Sequence, residues 1–206
     1  MKSKWHVDYF QPSFYRFSED SILLSKIAVS SMNLKSTCRV IDICCGCGVI
    51  GIEILASTIG YEFVMDFCEM QSQFIPFIDK NLRIYEKILS RGGEVFNIDY
   101  RNLMQNRPSG HYDYVVANPP YFLPGEGLPA ALDERNICRF FLYGGLQDLL
   151  ETAAFLVRDG GKIFFSCRLS KEKIQTILPF GSKIESCIEF KDVLFFTVSV
   201  LKKDRG

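Results

Sequence analysis

The sequence Asn118-Pro119-Pro120-Tyr121 follows a predicted strand over residues 112–117 and has the residue types for nitrogen chemistry. An amide or aryl amine nitrogen is a poor nucleophile, because its lone pair is delocalised. The Asn118 carboxamide oxygen and the Pro119 carbonyl could each accept one N–H, which would aim that lone pair at a sulfonium methyl group. Such catalysis rests on positioning and needs no strong base. The prolines stiffen the loop, and Tyr121 could stack on a flat substrate. The alternative is an ordinary Pro-Pro loop.

A glycine turn lies earlier in the chain, in the sequence Asp42-Ile43-Cys44-Cys45-Gly46-Cys47-Gly48. It joins a predicted strand over residues 40–44 to a predicted helix over residues 50–57. Glycines let the backbone approach a ligand that a Cβ atom would block. The N-terminus of the following helix favours negative groups such as a carboxylate. The pattern indicates a cofactor loop, although a purely structural turn between strand and helix has the same composition.

Two acidic residues follow the next two predicted strands. Glu69 comes after the strand over residues 63–68, about 20 residues beyond the glycine turn, where an acid can accept hydrogen bonds from ribose hydroxyls. Asp99 comes after the strand over residues 94–98, where a carboxylate can accept from an adenine amino group. Either acid alone could be a solvated surface residue. Their order along the chain favours one binding site.

The elements that must position these residues alternate between strands and helices. Further helices are predicted over residues 19–32, 72–89, 146–157 and 170–178, the last capped by Ser170. Gly160-Gly161 is predicted to end the third of these and to precede a strand over residues 162–167. Residues 121–138 are predicted as a loop, and 183–190 with 194–201 as a hairpin. This order predicts a mostly parallel sheet with helices on both faces, which binds ligands beyond the carboxyl ends of its strands.

Composition limits the classes of protein. A chain of 206 residues suits one domain, and 24 basic against 24 acidic residues leave no positive surplus for nucleic-acid binding. Because no signal peptide or run of 18 apolar residues is visible, we expect a cytoplasmic protein that makes no membrane contact. We expect the eight cysteines to be reduced, as core residues and small neighbours of a cofactor. Three thiols in one tight turn do not suit zinc, so no metal site is predicted.

With these motifs the sequence resembles the class I S-adenosylmethionine-dependent methyltransferases. Residues 42–48 resemble their cofactor loop, with Cys44 where glycine is usual, and the motif beginning at Asn118 matches that of enzymes that methylate adenine N6 or the glutamine amide. The resemblance covers residues 14–201. It implies a Rossmann-like, seven-stranded, mostly parallel sheet with an antiparallel last strand. It also implies one domain over 1–206, with an N-terminal extension and helix (1–35) and a catalytic core (36–206).

The same resemblance implies residue roles. S-adenosyl-L-methionine would be held by seven residues: Asp42, Cys44, Gly46, Gly48, Glu69, Asp99 and Asn118. The catalytic residues would be Asn118, Pro119, Pro120 and Tyr121. Phe122 and Phe17 are predicted to contact the substrate. The aromatic residues from Trp5 to Phe17 are predicted to cover an edge of the core, or alternatively to form a substrate platform.

Two groups of enzymes within this superfamily compete. Residues 14–24, 69–71, 118–125 and 131–134 resemble bacterial tRNA adenine-N6 methyltransferases of the valine tRNA, adenine-37 type. Residues 19–24, 143–146 and 194–201 also resemble compact release-factor glutamine methyltransferases. The first expectation is therefore tRNA adenine N6. The second is glutamine N5 of a release factor or another protein, with a small activator subunit as a partner. A third is a catalytically idle cofactor-binding domain, against which the intact Asn118 motif argues.

Overall fold

The computed structural model describes residues 9–34, 37–85, 91–122, 125 and 133–202. The helices are α1 (Glu19–Ser31), α2 (Val49–Ser57), α3 (Ile75–Tyr85), α4 (Leu103–Asn106), α5 (Asp133–Arg139), α6 (Leu146–Leu156) and α7 (Lys171–Ile177). The strands are β1 (Thr37–Ile43), β2 (Glu62–Cys68), β3 (Arg91–Gly92), β4 (Val95–Phe96), β5 (Tyr112–Ala117), β6 (Val157–Cys167), β7 (Ser182–Phe190) and β8 (Val193–Val200). Short 3-10 turns lie at Ser72–Phe74 and Tyr100–Asn102.

The strands form one mixed sheet in the order β3-β2-β1-β5-β6-β8-β7, with β4 also paired to β2. Strands β1 to β6 pair in parallel, and β8 runs antiparallel to both β6 and β7. Since β3 and β4 lie along the same side of β2, the sheet has seven strand positions. The predicted fold class is therefore confirmed, including the antiparallel end. All the parallel strands present their carboxyl ends at one edge, where the polar motifs of the sequence follow them.

Helices cover both faces of the sheet. Successive residues of a strand point to opposite faces, and neighbouring Val115 and Val116 of β5 belong to two different hydrophobic clusters. The first cluster contains apolar residues of α1, α2 and α3, and the second contains those of α4, α6 and α7. The near-continuous apolar sequence of the central strands follows from this burial on both sides.

Several predicted boundaries are wrong, for local reasons. Gly160-Gly161 lies within β6 and does not end a helix. Val157 pairs with Tyr112 and Lys162 pairs with Tyr114, so residues 158–161 form a bulge between the two pairs. The third strand predicted over residues 94–98 is present only as the short β4, and a further strand, β3, precedes the predicted start. Gly93 lies between them with a φ of 143°, and a Cβ atom there would overlap the carbonyl of Met65.

Two further segments differ in part from the prediction. The predicted loop over 121–138 contains α5, which begins at Asp133. The predicted helix over 72–89 begins with a 3-10 turn and continues as α3 to Tyr85; its remainder lies outside the described residues. The terminal hairpin and the Ser170 cap of α7, whose hydroxyl accepts from the Lys173 N–H, are confirmed. None of the described helices is long and apolar enough to cross a membrane.

We predict that Gly51→Ala destabilises the fold. Gly51 lies in α2 against β2, and a Cβ atom there would overlap the buried ring of Phe67. Overpacking of this kind typically costs about 1–3 kcal/mol in the free energy of unfolding, measured by urea denaturation. In the Phe67→Leu background the cost should shrink, because the overlap is with that ring. An equal cost in both backgrounds would mean that the ring is not the obstacle.

Candidate active site

The loop between β1 and α2 has a backbone that few residue types can adopt. Cys44, Gly46 and Gly48 all have positive φ angles, of 58°, 55° and 82°. Glycine accepts this conformation at no steric cost, whereas a cysteine in it is strained. Cys44 therefore occupies a left-handed position in which glycine would be relaxed. The result is a tight loop at the carboxyl edge of the sheet, immediately before the N-terminus of α2.

Asp42 lies beneath this loop and is fully buried. Its Oδ2 accepts a hydrogen bond from the Gly51 N–H at 2.9 Å, and its Oδ1 is buried without a partner among the described residues. Burial raises the pKa of the Asp42 carboxyl to about 8, against the lowering effect of the Gly51 hydrogen bond. A buried acceptor of this kind would gain from a cationic or hydrogen-bonding ligand.

Glu69 follows β2 and ties that strand to the loop. Its Oε2 accepts from the Gly46 N–H at 2.9 Å, and its Oε1 accepts from the Gln71 N–H at 2.9 Å. Burial raises the pKa of the Glu69 carboxyl, and the backbone hydrogen bonds oppose this rise. Because a carboxylate has about four lone-pair sites, both oxygens keep capacity for the hydroxyls of a ligand.

Asp99 follows β4 and is already paired. Its carboxylate bonds the Arg101 side chain at 2.7 Å and accepts from the Arg101 N–H at 2.9 Å, which starts the 3-10 turn. Desolvation alone would raise the pKa of Asp99, but the Arg101 hydrogen bonds outweigh it and lower the pKa. The next residue, Tyr100, lines a cavity that lies beyond the carboxyl ends of the parallel strands and is described below. The predicted adenine contact of Asp99 would therefore have to compete with Arg101.

The carboxamide of Asn118 is held from three directions. Its Oδ1 accepts from the Ser166 hydroxyl at 2.6 Å and from the Tyr121 hydroxyl at 2.7 Å, while its Nδ2 donates to Ser21 Oγ at 3.3 Å. Ser21 lies on α1 and Ser166 near the end of β6, and both are buried. Asn118 itself follows β5, so three elements converge on one amide group.

The aromatic residues of the motif form a half-buried surface beside Asn118. The Arg168 guanidinium lies 5.5 Å from the ring centre of Tyr121 and 4.9 Å from that of Phe122, and it pairs with Asp192 at 3.0 Å. Pro119 is buried, whereas Pro120 is partly open and lines the cavity. The four motif residues are thus brought together at the carboxyl edge, as the sequence predicted.

A cavity of about 570 Å³, part of it open to solvent, lies above these residues. Its lining includes five predicted site residues: Cys44, Gly46, Glu69, Asn118 and Pro120. Phe17 lines a smaller neighbouring cavity with Ser21 and Asn118. Phe122 lies at the outer wall, where its N–H donates to the Arg139 carbonyl and its carbonyl accepts from the Phe141 N–H.

Several residues of this site were not predicted from the sequence. Residues 137, 138 and 140–143 form one wall of the cavity, and Gln71 donates to Cys138 Sγ at 3.3 Å across it. Gln71 Oε1 is buried without a partner in the described ranges. Ser166 had one usable signal, because it is a polar residue in an otherwise apolar strand end. The wall had no such signal, because it joins the site through tertiary contacts, namely the Gln71–Cys138 hydrogen bond and the backbone pairing with Phe122.

The N-terminal aromatic residues cover an edge of the core, and Tyr15 among them also reaches the cavities. Tyr9 is buried and donates to Glu53 at 2.6 Å, so it covers an edge of the core. Tyr15 packs edge-on against Phe74, with ring centres 5.2 Å apart, and lines both cavities. Trp5 lies outside the described residues.

The cysteines around the loop are protonated thiols. Burial raises the pKa of Cys44 and Cys45 well above the usual value and that of Cys47 to about 12. A thiolate is the form that binds zinc, so these sites disfavour a metal. All eight cysteines are free. The described residues contain no cluster of three or more metal-binding side chains, and the absence of a metal stays a prediction.

Comparison with known proteins identifies the family. The model of the methyltransferase small domain matches residues 17–134. A tRNA1(Val) (adenine(37)-N6)-methyltransferase from Tolumonas auensis is 27% identical over 163 residues, which cover 78% of this chain and 62% of the relative. The chain thus spans less than two thirds of the length of that protein.

Solved structures share the fold at low identity. TrmN from Thermus thermophilus superposes with a TM-score of 0.60 at 20% identity, covering 88% of this chain and 48% of TrmN. A candidate RNA methyltransferase from Pyrococcus horikoshii gives 0.65 at 17% identity, covering 94% and 92%. These neighbours support the Rossmann-like methyltransferase fold.

The residues present fit S-adenosyl-L-methionine, the cofactor of this family. The cofactor carries an ammonium group, a cationic sulfonium, a carboxylate and ribose hydroxyls. The site offers the Asp42 and Glu69 carboxyls, the free acceptor of Gln71 and the backbone at the start of α2. These oxygen acceptors suit the ammonium group and the hydroxyls, and the helix N-terminus suits the carboxylate.

We predict that Glu69→Gln weakens binding of S-adenosylhomocysteine, measured by calorimetry. A hydrogen bond to a charged group contributes about 1.5–3 kcal/mol, so the Kd should rise about 10- to 100-fold. Glu62→Gln is the matched control, since Glu62 is an exposed residue at the opposite end of β2. Equal affinities of Glu69→Gln and wild type would remove Glu69 from the cofactor site.

We also predict that Asp42→Asn changes how stability depends on pH. An unfolded Asp releases its proton near pH 4, whereas folded Asp42 keeps it to about pH 8. The folded state binds more protons between these values, so the free energy of unfolding falls as pH rises through this window. Urea denaturation should show a shallower fall for Asp42→Asn.

Asp99→Asn is the control for this experiment. The pKa of Asp99 is lowered, so its contribution to stability is present above pH 4 and is lost only below it. Between pH 5 and 8 this variant should keep the wild-type slope. If Asp42→Asn also keeps that slope, Asp42 does not hold its proton in the folded state.

Proposed function

Because this chain belongs to the methyltransferase small domain family, we propose that it is an S-adenosylmethionine-dependent N-methyltransferase whose substrate is adenine N6 in a tRNA. The relative from Tolumonas auensis supports tRNA adenine by its name. The observation that carries the proposal is the carboxamide of Asn118, held at the wall of the cavity by Ser166, Tyr121 and Ser21.

The residues of the chain have defined tasks in this reaction. Asp42, Glu69 and the loop at Gly46 hold the cofactor, which when bound supplies an electrophilic methyl group. Asn118 Oδ1 accepts one N–H of the substrate amine, and the Pro119 carbonyl accepts the other. These two acceptors draw the nitrogen lone pair out of the ring plane and direct it. Tyr121, and Phe122 at the outer wall, offer aromatic faces for a flat base.

Such a mechanism needs no strong base at Asn118. The side chain cannot titrate, and burial raises the pKa of its neighbour Tyr121 above the usual value, which keeps that phenol protonated. The proton of the methylated amine can therefore leave to water after transfer. A planar nitrogen with two N–H groups fits this pair of acceptors. A glutamine amide has the same pair, so the site chemistry alone admits both substrates.

The test of substrate class is transfer of a labelled methyl group. The protein is incubated with labelled cofactor and either total RNA or a protein extract, and the products are analysed as nucleosides or peptides by mass. We expect label in RNA as N6-methyladenosine. Label in glutamine N5 would show that the substrate is a protein and not a tRNA. Cofactor binding without transfer to either extract would indicate a catalytically idle domain.

We predict that Asn118→Ala lowers kcat about 10²–10³-fold on the identified substrate, as loss of a directed transition-state hydrogen bond does. Cofactor affinity should stay close to wild type, because Asn118 acts on the amine. Asn118→Asp should keep partial activity, since a carboxylate still accepts hydrogen bonds. Wild-type turnover in Asn118→Ala would make the motif a structural loop.

A further inference from the structure

The oxygen of the Asn118 carboxamide is fully engaged in the free protein. A carbonyl oxygen has two lone pairs, and the hydroxyls of Ser166 and Tyr121 donate to it at 2.6 and 2.7 Å. The Tyr121 hydroxyl also lies 3.3 Å from Ser166 Oγ, a longer contact than its bond to Asn118. The proposed reaction needs one of these lone pairs for a substrate N–H. One of the two hydroxyls must therefore leave when the substrate binds.

The two hydroxyls differ in their freedom to leave. Ser166 is fully buried near the carboxyl end of β6, and its strand is paired on both sides, with Phe165 opposite Ala117 and Ser166 opposite Phe195. Tyr121 is only half-buried, on the loop that follows Asn118. The Tyr121 hydroxyl can thus swing away as its ring meets the substrate, whereas Ser166 stays bonded to Oδ1.

The opposite side of the amide is also fixed. Asn118 Nδ2 donates to Ser21 Oγ at 3.3 Å, from α1, where Ser21 is buried. A carboxamide that rotated by half a turn would present N–H donors to the substrate amine, which offers N–H donors of its own. The Ser166 hydroxyl donates to the amide oxygen and Ser21 Oγ accepts from the amide nitrogen, and both hydrogen bonds would be lost on that rotation.

We propose that Ser166 is a positioning residue for methyl transfer: its buried hydroxyl holds the Asn118 carboxamide oxygen toward the substrate amine while the Tyr121 hydroxyl marks the place that a substrate N–H takes. This inference rests on the proposed role of Asn118. Ser166 acts through Asn118 and makes no substrate contact itself, so its effect on turnover exists only when Asn118 is present.

The test is a double-mutant cycle on kcat with Ser166→Ala, Asn118→Ala and the double variant, each assayed on the substrate found by label transfer. A buried hydrogen bond contributes about 0.5–1.5 kcal/mol, so Ser166→Ala should lower kcat about two- to tenfold with little change in KM. In the Asn118→Ala background the same substitution should leave kcat unchanged.

The matched control is Ser182→Ala, the same change at a hydroxyl that is buried on β7 without a partner among the described residues. It should keep wild-type kcat. Thermal denaturation confirms that each variant is folded. If Ser166→Ala does not fold, Ser166→Cys serves in its place, because it keeps the side-chain shape with a weak donor.

A second readout uses Asn118→Asp, which introduces a titratable group. The Ser166 hydroxyl would stabilise the carboxylate, so adding Ser166→Ala should raise the pKa seen in the pH–rate profile. An unchanged kcat in Ser166→Ala, or an equal loss with and without Asn118, would overturn the role of Ser166. Full turnover in Asn118→Ala alone would instead overturn the proposed function on which it rests.

Discussion

The site depends on the hydrogen bond between Glu69 and the backbone of Gly46. The loop after β1 takes three residues through left-handed backbone angles, a conformation with few hydrogen bonds of its own. The Glu69 carboxylate satisfies the Gly46 N–H with Oε2 and the Gln71 N–H with Oε1. Two strand ends are thereby joined through one buried side chain. The same carboxylate keeps free lone pairs, so the group that shapes the loop is also able to accept hydrogen bonds from a ligand.

Much of the architecture could be predicted from the sequence, because the parallel sheet is buried on both faces and its strands are short apolar runs. Two of the predicted strand boundaries are wrong, and both lie next to glycines. Gly160 and Gly161 lie inside a bulge of β6, and Gly93, predicted as a break before the third strand, lies between two short strands where its backbone meets the Met65 carbonyl. Glycine marks a change of backbone direction, but the sequence does not say whether a helix end, a bulge or a close approach causes it.

The candidate site could be predicted where residues directly follow a strand, as Glu69 and Asn118 do. It could not be predicted where residues reach the site through tertiary contacts. Ser166 and Ser21 are ordinary serines until β6 and α1 bring them against Asn118. The wall over residues 137–143 enters the site through the backbone pairing of Phe122 with Arg139 and Phe141 and through the Gln71–Cys138 hydrogen bond. The one local signal is the polar Ser166 in an apolar strand end, and it does not say which residue that hydroxyl meets.

Charge separates cofactor recognition from substrate recognition in this molecule. Glu69 lines the end of the cavity beside β1 and β2, and the carboxyl of Asp42, which stays protonated to about pH 8, is buried below it. These hydrogen-bonding groups would suit the ammonium group and the hydroxyls of the cofactor. The chain has 24 basic and 24 acidic residues, so RNA binding would have to rest on local cations instead of a general positive surplus. Arg168 is one such cation, over Tyr121 and Phe122 and paired with Asp192. A phosphate arriving with a base would compete with Asp192 for this guanidinium, whereas a glutamine side chain would leave the pair intact. The two substrate classes therefore make different electrostatic demands on the same aromatic surface.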